Sequence, residues 1–135
     1  MANEVLADSD FFIALYKQND TNHERALRIL EKIGKEGTNV VLSILAYSEI
    51  ATVLSQRAGK TTAHNFMKDA ESSGVRILYL NESLFEKTKN TFQGQRSKNV
   101  SFTDASNIAI AAAYDFEFIV SFDRDYRKNG LKLFS

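Results

Sequence analysis

Hydrophobic positions follow two alternating rhythms along this chain. The brief runs Val5–Ala7, Asn39–Ser43, Val75–Leu80 and Phe116–Ser121 are rich in β-branched and aromatic residues. They are too short for core helices and read as buried strands. Leu131–Phe134, after Asn129-Gly130, predicts a short fifth strand. Between the strands, apolar residues recur at helical spacing. Phe11–Tyr16 is a short helical segment. From Asn22 to Lys35, Ala26, Leu27, Leu30 and Ile33 make an apolar stripe opposite Glu24, Arg25, Arg28, Glu31 and Lys32, and Gly37 stops it. Further helices are predicted at Leu45–Arg57, at Thr61–Ser73 before Gly74, from the cap Asn81 to about Thr91, and at Asp104–Tyr114 behind Ser101 or Thr103 as cap. Gln93–Ser101 is polar and reads as a loop.

Strands alternating with helices predict an α/β fold: a parallel sheet with helices on both faces. In such sheets the functional site lies beyond the carboxyl ends of the strands, where strand tails and the heads of the following helices converge. The chain delivers acid to that edge repeatedly. Asp8 ends the first strand, Asp123 follows the fourth, Asp104 opens the helix leading into the fourth, and Glu49 lies in the second turn of the helix after the second. Glu49 shares a helix face with Leu45, Ile50 and Val53, and Asp104 with Ile108, Ala111 and Ala112, so both are expected to point inward. Carboxylates gathered in an apolar setting repel one another and lose hydration. A divalent cation removes both penalties, and oxygen-only ligands suit Mg²⁺ or Mn²⁺. Such a site can act on a phosphodiester.

Each acid also has a plainer reading. Asp8 can cap the next helix, Asp104 can be a first-turn acid favoured by the helix dipole, Glu49 can pair with Arg57, and Asp123 can be a turn residue. Ser9, Asp10, Thr103 and Asp125 stand beside the four as candidates for hydrogen-bonding the ligands or for capping, and Asp125 competes with Asp123 for the fourth place. Arg96 and Lys98 are candidates for lining a substrate groove and Arg124 for touching phosphate, with solvent exposure as the alternative. His23 reads as structural and His64 as a surface residue.

Composition narrows the picture. The 135 residues suit one domain spanning 1–135, and 44% apolar with 25% charged residues is ordinary for a soluble globular protein. Equal numbers of basic and acidic residues, 17 each, argue against a basic nucleic-acid coat while leaving room for a local basic rim. There is no cysteine, hence no disulfide, thiolate ligand or cysteine nucleophile. No apolar run approaches the roughly 20 residues of a membrane span, and no signal peptide is visible. The cytoplasm is the expected location.

With these pieces in place the chain resembles a PIN domain of the VapC toxin group over essentially its whole length. The matching stretches are VLADSDFFIAL, NDTNHERALRIL, VLSILAYSEI around Glu49, VSFTDASNIAIAAAYDFEFIVSFDRDY and the short terminal strand. The resemblance implies a three-layer α/β/α sandwich with strand order 3-2-1-4-5 and a Mg²⁺- or Mn²⁺-dependent endoribonuclease. Asp8, Glu49, Asp104 and Asp123 would be its catalytic, metal-binding acids. It implies an RNA substrate, an antitoxin partner and a homodimer. Ser121-Phe122-Asp123 departs from the Thr-Arg-Asn-like segment of many relatives.

Four other readings compete. A nuclease of this fold can serve RNA processing outside a toxin system, and a non-catalytic PIN-like module can bind RNA or protein. Asp8-Ser9-Asp10 also matches the Asp-X-Asp of haloacid-dehalogenase-type phosphatases, but no Thr follows at the usual place, no cap insertion is present, and Glu49 is left unexplained. A receiver domain needs a Lys after a late strand, and Ser121–Tyr126 has none.

Overall fold

The computed structural model describes residues 3–135. Its elements in chain order are β1 (Glu4–Ala7), α1 (Ser9–Tyr16), α2 (His23–Glu36), β2 (Asn39–Ser43), α3 (Ile44–Arg57), α4 (Lys60–Ser72), β3 (Arg76–Leu78), α5 (Glu82–Gly94), α6 (Phe102–Tyr114), β4 (Phe118–Val120), a 3₁₀ helix (Arg124–Asn129) and β5 (Lys132–Leu133). The strands form one sheet in the order β3-β2-β1-β4-β5, and each pairing is parallel. This is the α/β/α arrangement and strand order expected above.

Strand alternation divides the core into two layers. Val5 and Ala7 of β1, with Leu42 and Val120, face α1 to α4. Leu6, with Val41 and Ile119, faces α5, α6 and the segment after β4. β1 is central and its register ties both halves together: Ala7 lies opposite Leu42 on one side and Val120 on the other. Its carboxyl end is therefore held from both flanks, and the Asp8 N–H donates to the Val120 carbonyl at 2.9 Å.

Local differences from the sequence-based expectation have physical causes. In α2 the buried face is Ala26, Ile29 and Ile33, while Leu27 and Leu30 are 41% and 43% exposed. The stripe is rotated because α1 supplies the packing partner on that side. β3 is shorter than Val75–Leu80 because it pairs only with β2 and because the Val75 N–H still closes the end of α4 on the Ala70 carbonyl. α6 starts at Phe102 because Ser101, not Thr103, is the cap. α5 continues past Thr91 to Gly94. The 3₁₀ helix was not expected. Its start is fixed by Asp123, whose side chain accepts from the Asp125 N–H, and Gly130 ends it at φ +82°.

Phe66 of α4 is the hub of the first layer. It is fully buried and meets Phe12, Tyr16 and Tyr47 at ring-centroid distances of 5.5, 5.8 and 5.2 Å. Truncation there removes a large buried ring and leaves a cavity between helices. Phe66→Ala is expected to cost about 3–5 kcal/mol in urea unfolding, whereas Tyr79→Ala, at a position 70% exposed, is expected to change stability by less than about 0.5 kcal/mol.

Candidate active site

The carboxyl ends of β1 and β4 and the first turns of α1, α3 and α6 meet at one edge of the sheet. Asp8 is at the centre. It is 3% exposed and caps α1, its Oδ1 accepting the Ser9 N–H at 2.8 Å. The capping role and the placement of an acid at the sheet edge are one geometry, since β1 runs directly into α1.

Around Asp8 the hydrogen bonds form a web. Asn107 Nδ2 donates to Asp8 Oδ1 at 3.1 Å and to the Tyr126 hydroxyl at 3.0 Å. The Tyr126 hydroxyl lies 2.8 Å from Asp8 Oδ2 and 3.1 Å from Asp104 Oδ1. Asp104 is half-buried, and its other oxygen accepts the Ser101 N–H, completing a capping box at the head of α6. Ser9 donates its hydroxyl to Glu49, so the acid on α3 joins the web at one remove. The Ser121 hydroxyl contacts Asp10 Oδ2 at 2.9 Å and Asp8 Oδ2 at 3.3 Å, and the Phe122 N–H donates to the same Asp10 oxygen at 2.9 Å. Asp10 Oδ1 is buried without a partner, as is Asn107 Oδ1.

The expectation of inward-pointing acids needs correction. Asp8 alone among the four is fully buried. Glu49 is half-buried because the core face of α3 is Ala46, Ile50 and Leu54, and Leu45 and Val53 lie at its margin. Asp123 and Asp125 line a shallow crevice with Asp104, Tyr126 and Asn129. Asp123 caps the 3₁₀ helix, while Asp125 is drawn outward to Lys128 at 3.4 Å. Thr103 lies in the first turn of α6, with Ser101 taking the cap. Arg96 and Lys98 are exposed on the loop between α5 and α6, and Arg124 is exposed at the start of the 3₁₀ helix. Outside the site, His23 Nδ1 lies 2.7 Å from the Ala14 carbonyl oxygen and His64 is exposed, as read from sequence.

Asn107, Tyr126 and Ser121 were not singled out from the sequence. Asn107 carried a signal: it lies one turn from Asp104, and α6 is otherwise largely apolar there. Tyr126 gave none, because an aromatic after Asp-Arg-Asp reads as core.

The electrostatics are one-sided. Among the described residues, no ion pair involves Asp8, Asp10, Glu49, Asp104 or Asp123. Burial, then the charges of Asp10 and Asp104, hold the Asp8 carboxyl well above the ordinary carboxylate range. Burial also pushes Asp10 to about 6, against the opposing hydrogen bonds from Phe122 and Ser121. The Tyr126 hydroxyl is driven upward by burial and by the charges of Asp8 and Asp104, so it stays protonated. One phenolic proton cannot satisfy two carboxylates.

The donor set suits a hard divalent cation in its chemistry: oxygen ligands, excess negative charge and an orphaned buried carboxylate oxygen on Asp10. It is not a preassembled cage. Among the described residues, no three His, Cys, Asp or Glu side chains converge as a metal-ligand group.

The model of the PIN domain family matches residues 5–131, and the chain belongs to that family. Membership sets aside the phosphatase and receiver readings. Among solved structures, the chain is similar to Mycobacterium tuberculosis VapC20, a Sarcin-Ricin loop cleaving toxin. The TM-score is 0.85 at 23% identity, over 95% of this chain and 96% of that one. It is also similar to VapBC2 from Rickettsia felis, bound to a DNA fragment from their promoter (TM-score 0.69, 13% identity, 96% of each chain). A third is FitAcB from Neisseria gonorrhoeae (TM-score 0.64, 16% identity, 97% of this chain and 96% of that one). No curated protein gives a significant match. At these identities the likeness concerns the fold.

The raised carboxyls make stability depend on pH. A folded-state pKa above the unfolded value means that the folded protein holds more protons, so stability falls as pH rises through the folded pKa. For Asp10 this contribution is full below about 4 and is lost as pH rises through 6. In chelator-treated protein, the melting temperature is expected to fall between pH 5 and pH 7.5. Asp10→Asn should flatten that slope, as measured by calorimetric scans across the range. An unchanged slope in the variant would show that Asp10 is not the titrating group.

Proposed function

We propose that this chain is a Mg²⁺- or Mn²⁺-dependent endoribonuclease that hydrolyses RNA phosphodiester bonds, acting in the cytoplasm as the toxin of a type II toxin–antitoxin pair. The observation that carries the reading is the fully buried Asp8, without a cationic partner, joined to Asp104 through Tyr126 and to Glu49 through Ser9. A stable fold without a charge-bearing ligand has no use for such a group. Asp8, Glu49, Asp104 and Asp123 would hold the ion, with Asp8 as the anchor. When bound, a divalent ion supplies charge neutralisation at the phosphate, a more acidic water and stabilisation of the leaving oxygen.

The chain's own residues do the rest. Asn107 and Ser9 fix the Asp8 carboxyl in one orientation. The Tyr126 hydroxyl sets the separation of Asp8 and Asp104, and it remains a proton donor because its ionisation is suppressed. Asp10, held by the Ser121 hydroxyl and the Phe122 N–H, ties the end of β4 to the head of α1 beside Asp8. The open, shallow crevice suits a polymer that lies across the surface.

The toxin assignment is supported by the fold likeness to VapC20 and to the two complexes above. By the same analogy the chain would form a homodimer and be held inactive by a small antitoxin. No helix is long and apolar enough to cross a membrane.

The test is cleavage of a structured RNA in the presence of Mn²⁺. Asp8→Asn and Asp104→Asn are each expected to lower the cleavage rate at least ~100-fold while leaving the folded state intact by circular dichroism. Wild-type rates in both variants would refute the catalytic assignment. A wild type that stays folded and inert in Mn²⁺ would instead favour a binding module.

A further inference from the structure

The acidic edge repels the phosphates of the substrate proposed above, and the chain has no net positive charge to offset it. Whatever grips a polyanion must therefore lie beside the acids. On the exposed side of α5, Phe85, Lys89 and Phe92 recur at i, i+4 and i+7 and so share one face, and Arg96 follows in the loop after Gly94 ends the helix. Phe85 and Phe92 are 42% and 43% exposed, large rings that a folded monomer gains nothing by presenting to water.

The two rings are joined by a third. Phe102 packs against Phe85 at 6.1 Å and against Phe92 at 5.6 Å between centroids. It stands on the first turn of α6, the helix that also carries Asp104. Gln95 Nε2 donates to Asn129 Oδ1 at 3.1 Å, tying the end of α5 to the 3₁₀ helix that Asp123 caps. Lys89 Nζ lies 5.4 Å from the Phe85 ring centre while pairing with Glu86. Arg96 and Lys98 form no ion pair among the described residues.

Resting on the nuclease reading, we propose that α5 is a single-strand RNA platform beside the cleavage site. Unpaired bases stack on Phe85, Phe92 and Phe102, and the intervening phosphates are held by Lys89, Arg96 and Lys98. Interleaved rings and cations are the composition that single-stranded nucleic acid needs: stacking accepts every base, and the cations follow the backbone. The platform also defines substrate form, since paired bases have no free faces to offer.

The test uses a fluorescent single-stranded 12-nucleotide RNA, the same RNA with abasic positions, and anisotropy in EDTA to prevent cleavage. Wild type is expected to bind the intact strand at least ~10-fold more tightly than the abasic one. The double substitution Phe85→Leu/Phe92→Leu should weaken binding of the intact strand by a similar factor, and Phe85→Tyr/Phe92→Tyr should restore it. Equal affinity for intact and abasic RNA, or wild-type affinity in the Leu variant, overturns the platform. So does loss of a dimer in the Leu variant by sedimentation with RNA affinity unchanged, which would make the face a self-association surface. Cleavage with Mn²⁺ separates the two claims. If wild type and the Leu variant cut single-stranded RNA equally, only the platform fails. If wild type neither binds nor cuts RNA, the nuclease reading fails with it.

Discussion

Burying the Asp8 carboxyl group sets the terms for everything around it. A carboxylate at 3% exposure with two acids nearby and no cation would cost several kcal/mol if left bare. The fold meets part of that cost with the Ser9 N–H, the Asn107 amide and the Tyr126 hydroxyl. Each of those groups is itself held by a different element, α1, α6 or the 3₁₀ helix. The hydrogen bonds moderate the penalty without removing it, and Asp8 remains displaced toward its protonated form. In the reading proposed above, a divalent cation would displace that proton and supply the missing positive charge.

Parallel pairing explains how residues so far apart in sequence share this edge. β1 is flanked by β2 and β4, so its tail and theirs end together, and the helices that follow begin there. Glu49, Asp104 and Asp123 need no special loop to reach Asp8. They need only to stand at helix starts or strand ends. That economy gives the acids double duty: Asp8 and Asp123 each cap a helix, and Asp104 completes the capping box that Ser101 opens, while facing the site. The capping and metal-ligand readings of these residues therefore describe one geometry.

Much of this was legible in the sequence, and the failures are physical. β-Branched runs bounded by polar residues located the strands, and the alternation with helices implied the parallel sheet. The strand order came from resemblance, since nothing in a single strand names its neighbours. The apolar face of α2 was placed about a sixth of a turn wrong because Leu27 and Leu30 are as hydrophobic as the residues that do pack. Glu49 was judged by apolar neighbours that themselves lie at the margin of the core. The 3₁₀ helix escaped notice because six residues without an apolar period carry no helical signal, and Tyr126 went with it. Periodicity reports burial, whereas the bridging of two acids by a phenol is a fact of tertiary structure. The stripe on α5 was readable as spacing, but its union with Phe102 depends on how α5 packs on α6.

Calorimetric titration of the wild type and of Asp8→Asn with Mn²⁺ at pH 6, in buffers of different ionisation heat, tests the central claim most directly. The account predicts saturable binding to the wild type, with proton release visible as a buffer-dependent heat, and loss of both in the variant. Absence of Mn²⁺ binding by the folded wild type at millimolar concentration, or binding unchanged in Asp8→Asn, would contradict it.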